Sequence, residues 1–364
     1  MRTFLIYFPF FVWAIALVVF VRPLSSVRRV RIAWSLVLLL CAAKFVFFER
    51  FGGDAFNPEF PDKVIWVANV FYSGMMLLTA FAVVSRLVRL RGRILLVLPV
   101  VSWGLAIRGV FNGLTVPSVR EVELAFANLP IELDGYRLVQ ITDLHVSAAA
   151  RRWRTQAIVD KVNALRVDLI VCTGDIVDGK PEDRKRDVEP LKDLSAPDGV
   201  YYVTGNHEYY GDVEEWQALY RDWNFRFLEN ECVFPRPALA LAGIPDATGG
   251  KRGLASTPDV TAAFAAETNG AFRVLLAHRP GDPLPRIYDL QLSGHTHGGI
   301  MPVLSSLVKV YNHGFVRGLY DLGGKARLYL SSGAGQWAGF PIRFLDDSEI
   351  TLITLRSRSR EALM

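Results

Sequence analysis

Five of the six histidines in this 364-residue chain stand at the same kind of place, just after a short apolar run. The runs lead into Asp143-Leu-His145, Thr173-Gly-Asp175, Gly205-Asn206-His207-Glu208, His278-Arg279 and Gly294-His295-Thr-His297, and His313 alone lies elsewhere. A single histidine on an apolar face is more often a satisfied core residue than a ligand. A lone acid after a glycine is more often a turn or a helix cap. Five histidines at equivalent positions, mixed with acids and an amide, are hard to explain that way, and clustered ligand types along one rim mark a site. Neutral imidazole, carboxylate and amide oxygen suit borderline divalent cations such as zinc, manganese or iron. Asp-x-His and His-x-His each set two side chains on one side of an extended segment, because strand side chains alternate with period two. A carboxylate shared by two cations about 3.5–4 Å apart serves in-line displacement at phosphorus. Asp175 is the expected bridge, since its strand is the most buried.

The elements that must position these groups are legible around them. Leu169–Cys172 is apolar without alternation, as in a strand buried on both faces. It ends at the carboxyl edge, where open α/β sheets bind ligands. Further strands are expected at Val119–Phe126, Tyr136–Thr142, Val200–Thr204, Phe225–Leu228, Ala238–Gly243, Phe272–Ala277, Leu290–Ser293, Arg327–Ser331 and Ile350–Leu355. Helices are expected at Arg154–Leu165, Glu182–Leu194, Asp212–Trp223 and Thr257–Glu267, the last with Thr257 as its cap. Strands with helical crossovers followed by a strand-rich part predict a layered α/β sandwich of two packed sheets.

The first third of the chain is different. Hydrophobic residues make up 51% of the whole, and the excess lies before about residue 112. Four segments, about 3–21, 32–48, 64–85 and 94–111, are each near the ~17–25 residues that cross a bilayer as a helix. A signal peptide is the alternative for the first, but Val-Arg-Pro-Leu-Ser-Ser makes a poor cleavage site. The predicted organisation is a membrane domain at 1–112, a linker at 113–118, a soluble domain at 119–356 and a basic tail at 357–364.

The net charge of +5 comes largely from arginines beside the apolar segments, so it reads as membrane topology; no nucleic-acid-binding surface is apparent. Arg22, Arg28, Arg29 and Arg31 crowd one loop, and Arg86, Arg89, Arg91 and Arg93 another, neither holding an acid. The loop between them carries Glu49, Asp54, Glu59 and Asp62. The positive-inside rule then predicts a multi-pass protein of the cell membrane with its soluble domain extracytoplasmic. Arg2, Lys44 and Arg108 count against that orientation, although Lys44 and Arg108 are placed to snorkel to the interface. Cys41, Cys172 and Cys232 are too few and too scattered for a disulfide framework or a cysteine zinc site.

The ordered series Asp143-x-His145, Gly174-Asp175, Gly205-Asn206-His207-Glu208, His278 and Gly294-His295-x-His297 resembles the calcineurin-like metallophosphoesterase superfamily across residues 136–300. Gly-His-Thr-His-Gly-Gly, Arg317-Gly-Leu-Tyr320 and Pro341-Ile-Arg-Phe344 further resemble the bacterial YaeI/YkuE-like phosphodiesterase branch. Ile300 stands where that branch has glutamine, and Asp346-Asp347 replaces its prolines. The resemblance implies a four-layer α/β/β/α sandwich, metallo-dependent phosphatase-like, here preceded by four transmembrane helices. It also implies two divalent metal ions (Mn, Fe or Zn), one held by Asp143, His145, Asp175 and His297, the other by Asp175, Asn206, His278 and His295. His207 would lie outside the ligand set and contact the phosphate and protonate the leaving oxygen, or else only support the ligands from behind. Asp178 and Glu208 would orient ligands, or be ordinary solvated residues. Arg279 would meet a phosphate oxygen or form a salt bridge.

The expected function is hydrolysis of a phosphodiester, phosphomonoester or pyrophosphate. The lipid bilayer is the expected partner, and the tether favours an envelope or lipid-linked substrate over a soluble small molecule. One rival is a UDP-2,3-diacylglucosamine-type pyrophosphatase at the cytoplasmic face, which needs the opposite topology. Another is a non-catalytic metal-binding membrane module, which would typically lack a ligand; none is lost here. A transporter is disfavoured by the expected absence of broken helices or paired acids in the four segments.

Overall fold

The computed structural model describes residues 2–90, 94–266, 270–281, 284–344 and 348–358. Arg91, Arg93, Glu267, Asp346-Asp347 and most of the basic tail lie outside the described residues. The chain forms two units: Met1–Leu114 with Trp337–Arg343, and Thr115–Gln336 with Phe344–Met364.

The first unit is helical, with α1 (Arg2–Leu24), α2 (Arg28–Ala42), α3 (Lys44–Gly52), α4 (Asp62–Leu87) and α5 (Ile94–Leu114). Helices α1, α4 and α5, of 23, 26 and 21 residues, are long and apolar enough to cross a membrane. The second expected span is not one straight helix, because α2 and α3 meet at a 51° bend. Ala43, with ψ −2°, tightens the last turn of α2 and re-aims the chain. The expectation that the apolar segments contain no broken helix is therefore corrected. Arg2 lies 2.8 Å from both Glu49 and Asp54, so after α2 and α3 the chain is back at the end where α1 began.

Lys44 does not snorkel. It is 5% exposed, its ammonium 4.3 Å from the Phe45 ring centroid and 4.8 Å from that of Tyr72. The bend turns it inward, where ring faces replace water around the cation. Its Nζ donates to Ala338 O at 3.4 Å, and Trp337 stacks on Phe56 at 5.6 Å. Residues Trp337–Arg343 thus pack within the helical unit, although in sequence they fall inside the span 119–356.

Among the described residues, the second unit holds twelve strands in two mixed sheets. In chain order the elements run β1 (Ser118–Phe126), β2 (Arg137–Ile141), α6 (Arg152–Ala164), β3 (Leu169–Thr173), α7 (Pro181–Val188), β4 (Val200–Val203), α8 (Val213–Asp222) and β5 (Phe225–Phe227). They continue with β6 (Glu231–Arg236), β7 (Leu239–Gly243), α9 (Ala247–Arg252), α10 (Val260–Ala263), β8 (Phe272–Leu276), β9 (Leu290–Ser293), α11 (Pro302–Tyr311), β10 (Gly318–Asp321), β11 (Arg327–Leu330) and β12 (Glu349–Ser357). Only Thr115, Val116 and Pro117 separate α5 from β1.

One sheet has the order β1-β12-β2-β3-β4-β5 and the other β10-β11-β9-β8-β7-β6. Strands β2 to β5 are mutually parallel, as are β7, β8, β9 and β11. Alternation along β3 shows the layers: Leu169 and Val171 face the core between the sheets, with Leu241, Val274 and Leu276. Ile170 and Cys172 face outward onto Ile158 and Val162 of α6 and Trp216 of α8. On the far side Ala240, Leu275 and Leu328 pack under Val260 and Ala263 of α10. Helix, sheet, sheet and helix make the expected four layers.

Two expected helices are shorter than their patterns suggest. Pro190 ends the second as a 3₁₀ turn over Glu189–Asp193. Helix α10 is capped by Asp259, not Thr257: the Asp259 carboxylate accepts from the Ala262 N–H at 2.9 Å. Strands β6 and β10, absent from the sequence reading, are edge strands, and β6 tolerates Pro235 for that reason.

Candidate metal centre

The strand ends meet. Asp143 and His145 follow β2, Asp175 follows β3, and Asn206, His207 and Glu208 follow β4, neighbours in one sheet. His278 and Arg279 follow β8, and His295 and His297 follow β9, neighbours in the other. Within each set the strands are parallel, so their carboxyl ends share a rim.

Asp143, His145 and His297 form one group of potential ligands. His145 Nε2 is 3.1 Å from His297 Nε2, which is 3.5 Å from Asp143 Oδ1. Asp175, His278 and His295 form another, with His278 Nε2 3.3 Å from Asp175 Oδ2 and 3.1 Å from His295 Nδ1. Asp175 Oδ2 also lies 3.8 Å from His145 Nε2 and 4.0 Å from His207 Nε2, which joins the two groups. Two donors each ~2.1 Å from one cation, at angles between octahedral and tetrahedral, stand about 3.0–3.4 Å apart. The spacings within each group, 3.1–3.5 Å, come close to this, so the donors are consistent with a divalent ion in each group, with Asp175 between them. Asn206 joins through Arg279, whose Nη2 donates to Asn206 Oδ1 at 3.1 Å while its Nη1 faces His295 Nε2 at 3.0 Å.

Holding these groups strains the backbone. Asp143, His145, Asp175, His295 and His297 have φ of 52°, 44°, 53°, 75° and 48°, a left-handed region that side chains avoid unless the surroundings enforce it. Gly205 supplies the space: a Cβ there would stand 2.2 Å from Asp175 Oδ1.

The groups around the cluster decide its chemistry. Asp178 Oδ1 accepts from His207 Nδ1 at 2.6 Å and from His145 Nδ1 at 3.1 Å. Both rings then direct Nε2 into the site, the arrangement by which a carboxylate orients a ligating histidine. His278 Nδ1 donates to Thr173 O at 2.8 Å with the same effect. Burial lowers the proton affinity of His207, but Asp175 and Asp178 outweigh it and hold the imidazole up at about 9. His278 stands at about 10, where Asp175 outweighs the effect of burial. His295 goes the other way: burial, then His278 and Arg279, keep it neutral.

Glu208 is buried, not solvated. Its Oε2 accepts from the Asp175 and Gly205 N–H groups at 3.0 and 2.7 Å, and its Oε1 from Ile176 N–H at 2.7 Å. Burial and then Asp175 push its carboxyl up to about 7, against the pull of these bonds. Arg279 makes the salt bridge foreseen for it, Nε to Asp246 Oδ2 at 2.7 Å, and also touches Thr248.

Asp246 was missed by the sequence reading, though it follows apolar β7 just as Asp175 follows β3. It carries Arg279 and caps α9 through the Thr248 N–H at 2.8 Å. Tyr210 was missed too; it is exposed, its ring 5.2 Å from that of His207 and 5.8 Å from the Arg252 guanidinium. His313 stays outside the cluster, exposed beyond α11.

Residues 136–299, which carry every one of these strand ends, match the calcineurin-like phosphoesterase family. The chain is 36% identical over 265 residues to the uncharacterized metallophosphoesterase Cj0846 of Campylobacter jejuni, covering 71% of this chain and 68% of that one. It is 35% identical to a zebrafish transmembrane protein with metallophosphoesterase domain, over 69% of this chain and 60% of that one. It is 30% identical to the uncharacterized metallophosphoesterase YkuE of Bacillus subtilis, over 63% of this chain and 82% of that one. With the two-sheet sandwich, the clustered donors and these likenesses together, the chain belongs to the calcineurin-like metallophosphoesterases.

Proposed function

We propose that the protein is a membrane-anchored dinuclear phosphoesterase that hydrolyses a phosphodiester, phosphomonoester or pyrophosphate of an envelope or lipid-linked substrate. The observation that carries this is Asp175, whose Oδ2 reaches the His145 group on one side and the His278 group on the other. Asp143, His145, Asp175 and His297 would hold one divalent ion, and Asp175, Asn206, His278 and His295 the other. When bound, the two ions would supply Lewis-acid neutralisation of phosphoryl oxygens and a nucleophile at neutral pH.

The chain's own residues do the rest. His207, with Nδ1 bonded to Asp178, keeps a proton on Nε2 at neutral pH and delivers it to the departing ester oxygen. Glu208 fixes the backbone of Asp175, and Asp178 fixes the ring planes of His145 and His207. Arg279, held in place by Asp246, presents a guanidinium edge beside Asn206 and His295 for a phosphate oxygen. Tyr210, beside His207 and under the Arg252 guanidinium, would meet the group beyond the scissile bond.

The arginine-rich loops support an extracytoplasmic phosphoesterase domain. A carboxyl-terminal alkaline phosphatase fusion is expected to be active in cells and a fluorescent-protein fusion that matures only in the cytoplasm dark. The reverse pattern would favour the cytoplasmic pyrophosphatase reading. Asp175→Ala and His295→Ala are each expected to abolish hydrolysis of bis(4-nitrophenyl) phosphate by the purified full chain. Near wild-type turnover in both would end the phosphoesterase reading.

A further inference from the structure

The helix that follows His297 turns an apolar face to solvent. Leu307, Val310 and Tyr311 of α11 sit at i, i+3 and i+4, on one side of the helix, and are 53%, 76% and 77% exposed. A helix on a water-facing domain normally buries such a stripe. Leu319, on the neighbouring edge strand β10, is exposed as well. Lys309 and Arg317 are both exposed nearby, and one acid, Asp321, is exposed on the same face of β10 as Leu319.

Helix α11 is also locked to the ligand loop. Thr296, between His295 and His297, donates its hydroxyl to Val316 O at 2.6 Å, just beyond the helix. Gly299 lies so close to α11 that a Cβ there would stand 2.7 Å from Ser305 Cβ and 3.1 Å from Val316 Cγ1. Ile300, at φ 65°, is a β-branched residue in the left-handed region at the entry to the helix. Its carbonyl accepts from the Phe344 N–H at 3.1 Å.

We propose that α11 docks on an anionic lipid bilayer through Leu307, Val310 and Tyr311, with Arg317 on phosphate headgroups, and so presents the His295–His297 rim to phosphoesters in that membrane. The last clause rests on the phosphoesterase reading; the docking does not. An apolar stripe with an aromatic residue and basic neighbours is the composition of a helix lying in a membrane interface. The helices of this same chain keep a bilayer within reach.

The test uses the full chain with Cys232→Ser, since Cys41 and Cys172 are buried. Val310→Cys, Tyr311→Cys and, as a control on α8, Glu215→Cys each carry a spin label in proteoliposomes of phosphatidylcholine with or without phosphatidylglycerol. Labels at 310 and 311 are expected to be accessible to oxygen and shielded from a water-soluble nickel chelate, more so with phosphatidylglycerol. The label at 215 should remain open to nickel. Nickel access at 310 and 311 equal to that at 215 would overturn the docking. So would exclusion of both quenchers with dipolar broadening between labels, which would mean a second copy covers the face. As a further arm, Val310→Asp should slow cleavage of a lipid-borne phosphodiester about tenfold, the worth of one apolar side chain moved out of the bilayer. Hydrolysis of bis(4-nitrophenyl) phosphate in detergent should stay unchanged, and its loss would count against a role confined to docking. Absence of any diester, monoester or pyrophosphate hydrolysis in the parent chain, with labels 310 and 311 still lipid-exposed, would sink the phosphoesterase reading and leave the docking in place.

Discussion

Replacing Glu208 by glutamine removes one oxygen from the joint between β3 and β4 and adds nothing to its size. The carboxylate accepts three backbone N–H groups, from Asp175, Gly205 and Ile176, at 3.0, 2.7 and 2.7 Å. In the better of its two orientations the amide oxygen keeps Asp175 and Gly205, and the amide nitrogen then opposes the Ile176 N–H, donor against donor. Losing a bond to a charged acceptor and stranding a buried donor costs about 2–4 kcal/mol. Relief comes only by moving the Gly174–Ile176 turn, and Asp175 moves with it. If that cost is expressed at the site, metal affinity or kcat/KM falls roughly 30- to 1,000-fold. The assay is metal content by atomic emission together with kcat/KM on bis(4-nitrophenyl) phosphate, at about pH 8 so that the parent carboxyl is ionised. Glu208→Ala, which strands all three donors, should be worse. A Glu208→Gln protein with full metal content and kcat/KM within about threefold of the parent would refute the positioning role.

Asp178→Asn should lower kcat about 10²–10⁴-fold and shift the alkaline limb of the pH–rate profile downward, because His207 loses the carboxylate that holds its proton; an unchanged profile would show that His207 is not the acid. Gly205→Ala sets a methyl 2.2 Å from Asp175 Oδ1, so the purified variant should contain little metal while keeping native far-ultraviolet dichroism. Dialysis against a chelator should lower the thermal midpoint of the phosphoesterase unit, and readdition of manganese or zinc should restore it. A ligand at a hundred times its dissociation constant contributes about 2.7 kcal/mol, and a midpoint indifferent to chelation would argue against bound ions.

What the sequence by itself determined was the set of candidate ligands. Asp143, His145, Asp175, Asn206, His207, His278, His295 and His297 could be picked out because each directly follows an apolar run, a pattern that needs no knowledge of neighbouring strands. The layered sandwich followed for a similar reason, since a strand such as Leu169–Cys172, apolar on both faces, must be covered on both; the count of four layers came from the family resemblance. Tertiary structure decided which groups meet. Asp175 reaches His145 and His278 only because β3 lies beside β2 and its sheet packs on the one that holds β8. Glu208 and Arg279 looked in sequence as much like solvated residues as like parts of a site; the partners that hold them, Ile176 and Asp246, are about thirty residues away. In the helical unit, composition marks apolar length but not direction, so neither the bend at Ala43 nor the inward turn of Lys44 could be foreseen. The face of α11 is the same case, since whether Leu307, Val310 and Tyr311 are covered depends on what the rest of the fold leaves beside them.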